Sequence, residues 1–259
     1  MKVLAITNQK GGVGKTTTAV NLAACLAAHG ARVLLIDLDP QGNATTGCGL
    51  AKKESLPTVY QLLLGAAPLA EVCHQTEFGF DVLPANRELA GAEVELIEID
   101  KREFRLRDAL QAGKASYDFV LIDCPPALNM LTVNGLVAAD SVLIPMQCEY
   151  YALEGLSDLV ETLRKVRANL NHRLEIEGLL RTMYNPQSTL TQQVSAELES
   201  HFGKKVYNTI VPRNVRLAEA PSYGKPVQAF DKNSRGAQAY MALAEEMLER
   251  FEFNKEVTA

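Results

Sequence analysis

The fold of this chain is decided by the stretch Asn8-Gln-Lys-Gly-Gly-Val-Gly-Lys-Thr-Thr-Thr18. It follows a short apolar run, Val3-Leu-Ala-Ile6, and precedes an alanine- and leucine-rich segment at residues 19–28. That order predicts a buried strand, a glycine loop and a helix. Such a loop directs several backbone N–H groups toward one point, and the helix N-terminus adds the positive end of its dipole. The stretch therefore predicts a binding site for nucleotide phosphates.

Two side chains of this stretch suit the same chemistry. Lys15 offers a mobile positive charge to β- and γ-phosphates, and the Thr16 hydroxyl can bind Mg²⁺. The loop departs from the standard pattern G-x-x-x-x-G-K-[ST], because Gln9 stands at the first glycine and a second lysine, Lys10, begins the loop. The predicted nucleotide-binding residues here are Lys10, Gly11, Gly12, Val13, Gly14, Lys15, Thr16 and Thr17.

The composition narrows the class of protein. The chain has 259 residues, 47% of them hydrophobic, which is enough for one large domain with a sizeable core. The net charge of −5 means that any nucleic-acid binding must come from a local basic patch. Five scattered cysteines with no C-x-x-C pair favour a reducing compartment over a disulfide framework or a zinc site. Without a signal peptide or an apolar run of about 20 residues, we expect a cytoplasmic protein.

Apolar runs alternate with helical patterns along the chain. After the first strand and helix, the runs predict strands at residues 32–37, 80–84, 117–123, 141–145, 178–184 and 206–211. Helices are predicted at residues 58–64, most of 88–111, 153–168, 189–202 and 235–250. The fold class is therefore α/β, a single-domain P-loop NTPase with a mostly parallel twisted sheet and helices on both faces. We expect the ATPase domain at residues 1–251 and a frayed tail at 252–259.

Acidic residues follow two of the predicted strands. Asp123 ends the run Phe119-Val-Leu-Ile, and Asp37 and Asp39 begin a polar loop after the run 32–37. Ligands of open α/β sheets bind at the carboxyl ends of the strands. Asp123 is therefore expected to hold Mg²⁺ through its water shell, although a lone aspartate there is often only a turn or helix cap. Asp39 precedes proline and could equally begin a turn.

The glycine loop resembles the deviant Walker A motif of the ParA/MinD group of P-loop ATPases. Three further segments are similar to that group. Ile36-Asp-Leu-Asp-Pro-Gln-Gly-Asn-Ala-Thr45 resembles its first switch, Cys124-Pro-Pro126 its second switch, and the run from Ile210 to Pro226 its late signature. Within the group, the resemblance is to the ParA/Soj type of chromosome or plasmid partitioning ATPase.

The resemblance implies roles for individual residues. Lys10 would reach across a dimer interface to the other subunit's nucleotide, and Asp39 would orient the attacking water, so that Lys10, Lys15 and Asp39 are the candidate catalytic residues. Thr16, Asp39 and Asp123 are the candidate metal-site residues, and Pro212 and Asn214 would contact adenine. The implied activity is slow, partner-stimulated ATP hydrolysis with ATP and Mg²⁺ as cofactors.

A local basic region suggests a further partner. Seven Lys/Arg and two acids lie between residues 203 and 235, and Arg213, Arg216, Lys204 and Lys205 are the candidate DNA-binding residues. Charge alone favours a solvated surface, but the resemblance implies non-specific DNA binding by an ATP-bound homodimer. Gln187 stands where family members often carry arginine.

Several functional alternatives stay open. The resemblance implies a ParB-like centromere-binding partner, no membrane, and association with the nucleoid in the ATP state. A MinD-like membrane switch would end in a basic amphipathic helix, whereas this chain ends in an acidic segment, Phe251-Glu-Phe-Asn-Lys-Glu-Val-Thr-Ala259. An iron–sulfur reductase subunit would need cysteines at a dimer seam. A related ATPase that positions another cargo fits the sequence equally well.

Overall fold

The protein is described here by a computed structural model that covers residues 1–51, 57–111 and 116–253. Its described part contains one sheet of eight strands. They are β1 (Lys2–Ile6), β2 (Val33–Asp37), β3 (His74–Gln75), β4 (Asp81–Leu83), β5 (Phe119–Asp123), β6 (Ser141–Gln147), β7 (Glu175–Tyr184) and β8 (Val206–Pro212).

Helices connect most of these strands. In chain order they are α1 (Lys15–Ala28), α2 (Asn43–Gly47), α3 (Val59–Leu64), α4 (Leu69–Val72), α5 (Leu89–Glu95), α6 (Arg105–Gln111), α7 (Met130–Ala138), α8 (Ala152–Asn169), α9 (Thr189–Phe202), α10 (Val215–Glu219), α11 (Val227–Phe230) and α12 (Arg235–Arg250). Short 3₁₀ turns occupy Leu96–Glu98, Arg102–Phe104, Gly203–Lys205 and Ala220–Tyr223.

The sheet places the glycine loop at its centre. The strand order is β3-β4-β2-β5-β1-β6-β7-β8, and every pair is parallel except the short edge pair β3 and β4. Strand β1 lies between β5 and β6, so the loop that follows Ile6 leaves from the middle of the carboxyl edge. Ligands bind at this position in open α/β sheets.

Each face of the sheet is covered by its own apolar layer. Alternate residues of the central strands point to opposite faces, so that Leu4 and Leu121 meet α1 and α12 while Val3 and Val120 face the layer that includes α7 and α8. The central strands β1, β2 and β5 are buried almost throughout, as expected for a parallel sheet with both faces covered.

The predicted elements are confirmed with small shifts at their ends, except that one predicted helix is interrupted. Helix α7 and the short elements β3, α2, α4, α10 and α11 were not predicted. The predicted helix at residues 88–111 is interrupted after Glu98 by a non-helical segment in which Lys101 has a φ of 55°. Helix α7 was not predicted, because its sequence, Met-Leu-Thr-Val-Asn-Gly-Leu-Val-Ala, is apolar all round and shows no helical period.

Packed residues extend beyond position 251, after which the frayed tail was predicted to begin. Phe251 and Phe253 lie with ring centroids 5.9 and 5.4 Å from that of Phe119. Residues 254–259 of the predicted frayed tail lie outside the described residues. Within the described ranges, no helix combines the length and the apolar character needed to cross a bilayer.

Gly178 tests the packing of β7 on β8. A Cβ added there would lie 2.5 Å from the Tyr207 ring and 2.8 Å from the Lys205 carbonyl oxygen. Because this space is filled, we expect Gly178→Ala to lower the free energy of unfolding by about 1–3 kcal/mol. Urea titration measures the change.

The matched control is Gly155→Ala in helix α8, where an added Cβ meets nothing within 4 Å. There alanine should raise the free energy of unfolding by about 0.5–1 kcal/mol, through helix propensity. Equal stability of the Gly178→Ala variant and the wild type would contradict the packing argument.

Candidate nucleotide-binding site

The glycine loop is an open nest of backbone donors. Gly12 and Gly14 have φ values of 74° and 89°, which residues other than glycine adopt only with strain. Among the described residues, no backbone N–H of Gly11 to Gly14 donates a hydrogen bond to another protein group. A Cβ added at Gly11 or Gly12 would meet nothing within 4 Å, so the space above the loop is free for a ligand. These features are what an anion-binding loop requires.

Contacts to neighbouring strands hold the loop in place. The Asn8 amide donates to the Pro145 carbonyl oxygen at 2.9 Å and accepts from the Lys10 N–H at 3.0 Å. The Thr182 hydroxyl donates to the Val13 carbonyl oxygen at 2.8 Å. Sequence reasoning missed both residues. The Asn8 contact had a local signal, since asparagine commonly binds the backbone two residues on, but Thr182 is brought in by the sheet alone.

Lys15 bridges the loop and the acidic residues. Its side chain is buried, and Nζ donates to the Lys10 carbonyl oxygen at 3.1 Å. Burial lowers the pKa of Lys15, and the charge of Asp123 offsets part of that effect. An ammonium that is poorly solvated and held by a single carbonyl is well placed to exchange that contact for phosphate oxygens.

Lys10 has a partner that the sequence did not suggest. Its Nζ lies 2.6 Å from Glu149 Oε2, and both side chains are about half exposed. Tyr150 and Tyr151, next to Glu149, are 74% and 69% exposed and pack edge to face. Lys10 therefore lies at an open surface of the carboxyl edge, rather than over its own loop.

Two carboxylates meet below the loop. Asp37 and Asp123 are register partners on β2 and β5, and both are fully buried. Asp37 accepts hydrogen bonds from the Thr45 N–H and hydroxyl, both at 2.8 Å, and from the Asp39 N–H at 3.1 Å. Burial raises the pKa of Asp37 to about 6, although these hydrogen bonds act in the opposite direction. Asp37 is thus a structural acid that fixes the chain after β2.

Asp123 is held differently. Within the described part of the chain, neither carboxylate oxygen of Asp123 has a hydrogen-bond partner. Burial, together with the charge of Asp37, raises the pKa of Asp123 well above its usual range, while Thr16 and Lys15 lie close enough to lower it in part. A buried carboxylate without partners beside a hydroxyl fits a hydrated Mg²⁺, which keeps several waters and takes few protein ligands.

Asp39 stands at the mouth of the site and is half-buried. Its Oδ1 accepts from the Gln41 N–H at 2.9 Å, so it does begin the turn that the Asp-Pro pair suggested. The other carboxylate oxygen makes no such contact among the described residues.

A small apolar cavity adjoins the loop on the side of β7 and β8. It measures about 190 Å³, and its lining includes Gly14, Met183, Pro212 and Asn214. Met183 has a φ of 48°, a strained backbone for a non-glycine residue, as is common at ligand sites. Asn214 also caps α10 by accepting from the Arg216 N–H at 3.0 Å. Pro212 and Asn214 therefore line the same cavity next to the loop, and this cavity can enclose a flat aromatic ring such as a nucleotide base.

The four basic candidate residues do not form one cluster. Lys204 and Lys205 precede β8, whereas Arg213 and Arg216 follow it. A seven-residue strand, which spans roughly 20 Å, separates them. Arg216 also pairs with Glu219 at 2.8 Å and with Asp231 at 3.2 Å.

Arg181, on β7 six residues before Gln187, is buried. It bonds Ser195, Glu199 and the Tyr207 carbonyl oxygen. It is therefore not available to a ligand at the surface.

A backbone contact joins the acidic side of the site to this basic segment. Helix α2 follows Asp39 and ends near Gly49, and Gly224 closes the 3₁₀ turn after α10. A Cβ built on Gly224 would lie 2.9 Å from the Cα of Gly49, and one built on Gly49 would lie 3.0 Å from the Gly224 carbonyl oxygen. The two backbones thus pack directly on each other.

The paired carboxylates predict a specific dependence of stability on pH. The folded chain keeps a proton on Asp37 up to a pKa of about 6, whereas the unfolded chain loses it near 3.8. Between these values the folded state binds more protons, so the free energy of unfolding of the nucleotide- and metal-free protein should fall as pH rises from 4 to 6. The fall due to Asp37 is at most about 3 kcal/mol, at about 1.4 kcal/mol per pKa unit.

Asp123→Asn removes the second buried carboxyl group, whose pKa is also raised well above its usual range by burial and by the charge of Asp37. We expect this variant to be more stable than the wild type at pH 7 and to depend less steeply on pH between 4 and 6. Urea unfolding over that range compares the two proteins. Parallel pH profiles would show that Asp123 does not contribute to the pH dependence of stability.

Comparison with known proteins agrees with this geometry. A family model described as an AAA domain matches residues 1–176. The chain is 55% identical over 247 residues to the sporulation initiation inhibitor protein Soj of Bacillus subtilis, covering 95% of this chain and 98% of that protein. It is 53% identical over 253 residues to the chromosome partitioning protein ParA of Caulobacter vibrioides, covering 96% of this chain and 95% of that protein.

A solved structure shares both fold and sequence. Cobyrinic acid a,c-diamide synthase from Mycobacterium smegmatis, with a bound ATP analog and magnesium, superposes with a TM-score of 0.86 at 36% identity, covering 99% of this chain and 98% of that one. The glycine loop with its two lysines, the strand order and these relatives lead to one conclusion: the chain belongs to the ParA/Soj family of P-loop ATPases.

Proposed function

We propose that this protein is an ATP-dependent dimerising switch that hydrolyses ATP to ADP and phosphate. We further propose that its ATP state binds DNA without sequence preference, and that it acts in chromosome or plasmid segregation with a ParB-like partner. The observation that carries the proposal is the buried carboxylate of Asp123, to which no described residue donates a hydrogen bond, beside Lys15, Thr16 and an open backbone nest.

The residues divide the work of phosphoryl transfer. The N–H groups of the loop and Lys15 would bind the phosphates, while Thr16 and Asp123 would hold a hydrated Mg²⁺, with Asp39 near its water shell. Mg²⁺ supplies charge compensation to the phosphates. The free oxygen of Asp39 would orient the attacking water, since this reaction needs positioning more than a strong base. The apolar cavity at Pro212 and Asn214 would hold adenine.

The position of Lys10 supports dimerisation. Its side chain leaves the loop and pairs with Glu149 at an exposed edge beside two exposed tyrosines. A lysine directed away from its own loop supports a role at another subunit's phosphates. In this proposal, Lys10 exchanges Glu149 for the partner's nucleotide when the ATP dimer forms.

Asp39→Ala tests the catalytic assignment. The variant should bind ATP and dimerise, but its rate of hydrolysis should fall by about 10²-fold or more. That is the usual effect of removing a positioned group. Phosphate release measures the rate.

The control is Asp39→Asn, which keeps the acceptor for the Gln41 N–H but removes the charge. If asparagine restores the rate, Asp39 acts only through the turn. Turnover by Asp39→Ala within about twofold of the wild type would remove it from the catalytic residues.

Lys10→Ala tests the role across the interface. It should retain nucleotide through Lys15 and the backbone nest, yet lose ATP-dependent dimerisation and hydrolysis together. Light scattering with ATP and Mg²⁺ measures the dimer. Glu149→Gln is the control, since it breaks the internal ion pair while leaving Lys10 in place. A stable Lys10→Ala dimer would contradict the assignment.

DNA binding should depend on the nucleotide. Two subunits joined by ATP would present two copies of the segment around Arg213 to one duplex, and log K falls with log salt at about −0.9 per neutralised phosphate. We expect negligible binding with ADP and salt-sensitive binding with ATP. Fluorescence anisotropy on unrelated DNA sequences measures both.

Variants refine this test. Arg216→Glu should weaken DNA binding, and Arg213→Glu should weaken it more, because among the described residues Arg213 makes no ion pair to compensate it. Gln187→Arg should strengthen binding, and Lys165→Glu on helix α8 serves as the charge control. Equal DNA affinity with ADP and ATP would exclude the proposed switch.

A further inference from the structure

A groove of about 430 Å³ lies at the edge of the sheet opposite the nucleotide site. It runs between the C-terminal half of α8, the end of α9 and the start of β7. Its apolar lining is formed by Val160, Leu163, Leu174, Ile176 and Phe202. Leu163 and Leu174 are only 5% and 3% exposed, so they form its floor.

Positive charge surrounds this groove. Arg164, Arg167 and Lys205 line it and are exposed, against one acid, Glu175. In the described part of the chain, none of these three cations makes an ion pair within 4.0 Å. Lys165, on the same helix but outside the groove, pairs with Glu161 at 2.8 Å. The groove is thus apolar inside and basic at its rim.

The same chain carries a surface of the opposite kind, which we call the ridge. It consists of α5 and the 3₁₀ turn Leu96–Glu98. Val94 and Ile97, one helical turn apart, are 69% and 61% exposed. The acids Glu93, Glu95 and Glu98 flank them, with no basic residue between Leu89 and Glu98. Exposed aliphatic side chains grouped in this way mark an interaction surface.

We propose that the ridge of one molecule docks into the groove of a second copy of this chain. Val94 and Ile97 would enter the apolar groove, and Glu93, Glu95 and Glu98 would face Arg164, Arg167 and Lys205. The match is one of apolar character and of charge. The groove carries three cations and one acid, and the ridge carries three acids, of which Glu93 and Glu95 also accept hydrogen bonds from Asn129 and Tyr60. A polyanion such as DNA could use the cations but would leave the buried apolar floor unexplained.

The geometry of this contact sets the form of the assembly. The ridge and the groove are different surfaces, so the contact is heterologous, and each added molecule leaves one free ridge and one free groove. Association then continues head to tail instead of closing on a pair. It needs no nucleotide, and so it goes beyond the proposed ATP dimer.

Charge reversal on either surface tests the contact. One variant carries Arg164→Glu and Arg167→Glu in the groove, and the other carries Glu95→Arg and Glu98→Arg on the ridge. Each alone would face like charge with like charge, so we expect its self-association constant to fall about tenfold or more. Sedimentation velocity of the nucleotide-free protein at low salt and rising concentration measures it.

Mixing the two variants provides the decisive measurement of self-association. The acidic groove of one variant faces the basic ridge of the other, and the acidic ridge of the first faces the basic groove of the second. The mixture should therefore recover assemblies that neither variant forms alone. Lys165→Glu, a charge change on α8 outside the groove, should associate like the wild type. No recovery on mixing, or a wild type that stays monomeric at every concentration, would overturn the proposal.

A cross-linking measurement keeps the test independent of how the reversed variants fold. Val94→Cys and Val160→Cys proteins are mixed and treated with a short bis-maleimide, with the wild type as the background for the native cysteines. We expect an adduct between the two variants that exceeds that of either alone, and its absence would reject the contact. A groove variant that loses DNA binding but still self-associates would assign the groove to nucleic acid instead. ATP hydrolysis, measured in parallel, reports separately on the proposed function.

Discussion

The structure depends on two carboxylates that the parallel sheet forces side by side. Asp37 and Asp123 end neighbouring strands in register, and both are fully buried, where two like charges are costly. The chain compensates one of them with Thr45 and the Asp39 N–H and leaves the other unsatisfied. Burial and the charge of Asp37 therefore raise the pKa of Asp123 well above its usual range.

The same constraint explains the surroundings of the loop. Lys15 lies buried where Asp123 can stabilise its charge, and its temporary acceptor is a carbonyl of the loop itself. Lys10, by contrast, is exposed and held by Glu149. The two lysines of the motif therefore differ in burial and partners, although they are five residues apart in the sequence. That difference supports separate roles for them.

The sequence predicted much of this arrangement because the decisive signals were local. Apolar runs ending in acids located β2 and β5, and the glycine spacing located the loop between β1 and α1. Contacts made across the sheet left no such signal. Glu149 lies 139 residues from Lys10 along the chain, and Thr182 lies 169 residues from Val13. Helix α7 escaped prediction because it is mostly buried and lacks the polar face that reveals a helical period.

The contact between Gly49 and Gly224 has a mechanical consequence. The first glycine belongs to the segment that begins at Asp39, and the second ends the turn that follows Arg216. With no side chain between them, these backbones leave no compressible layer to absorb a shift. Because the two backbones are in direct contact, the segment after Asp39 cannot move toward the segment after Arg216 without displacing it. The two glycines thus hold the segment after Asp39 and the segment after Arg216 in direct contact, where a larger residue would force them apart.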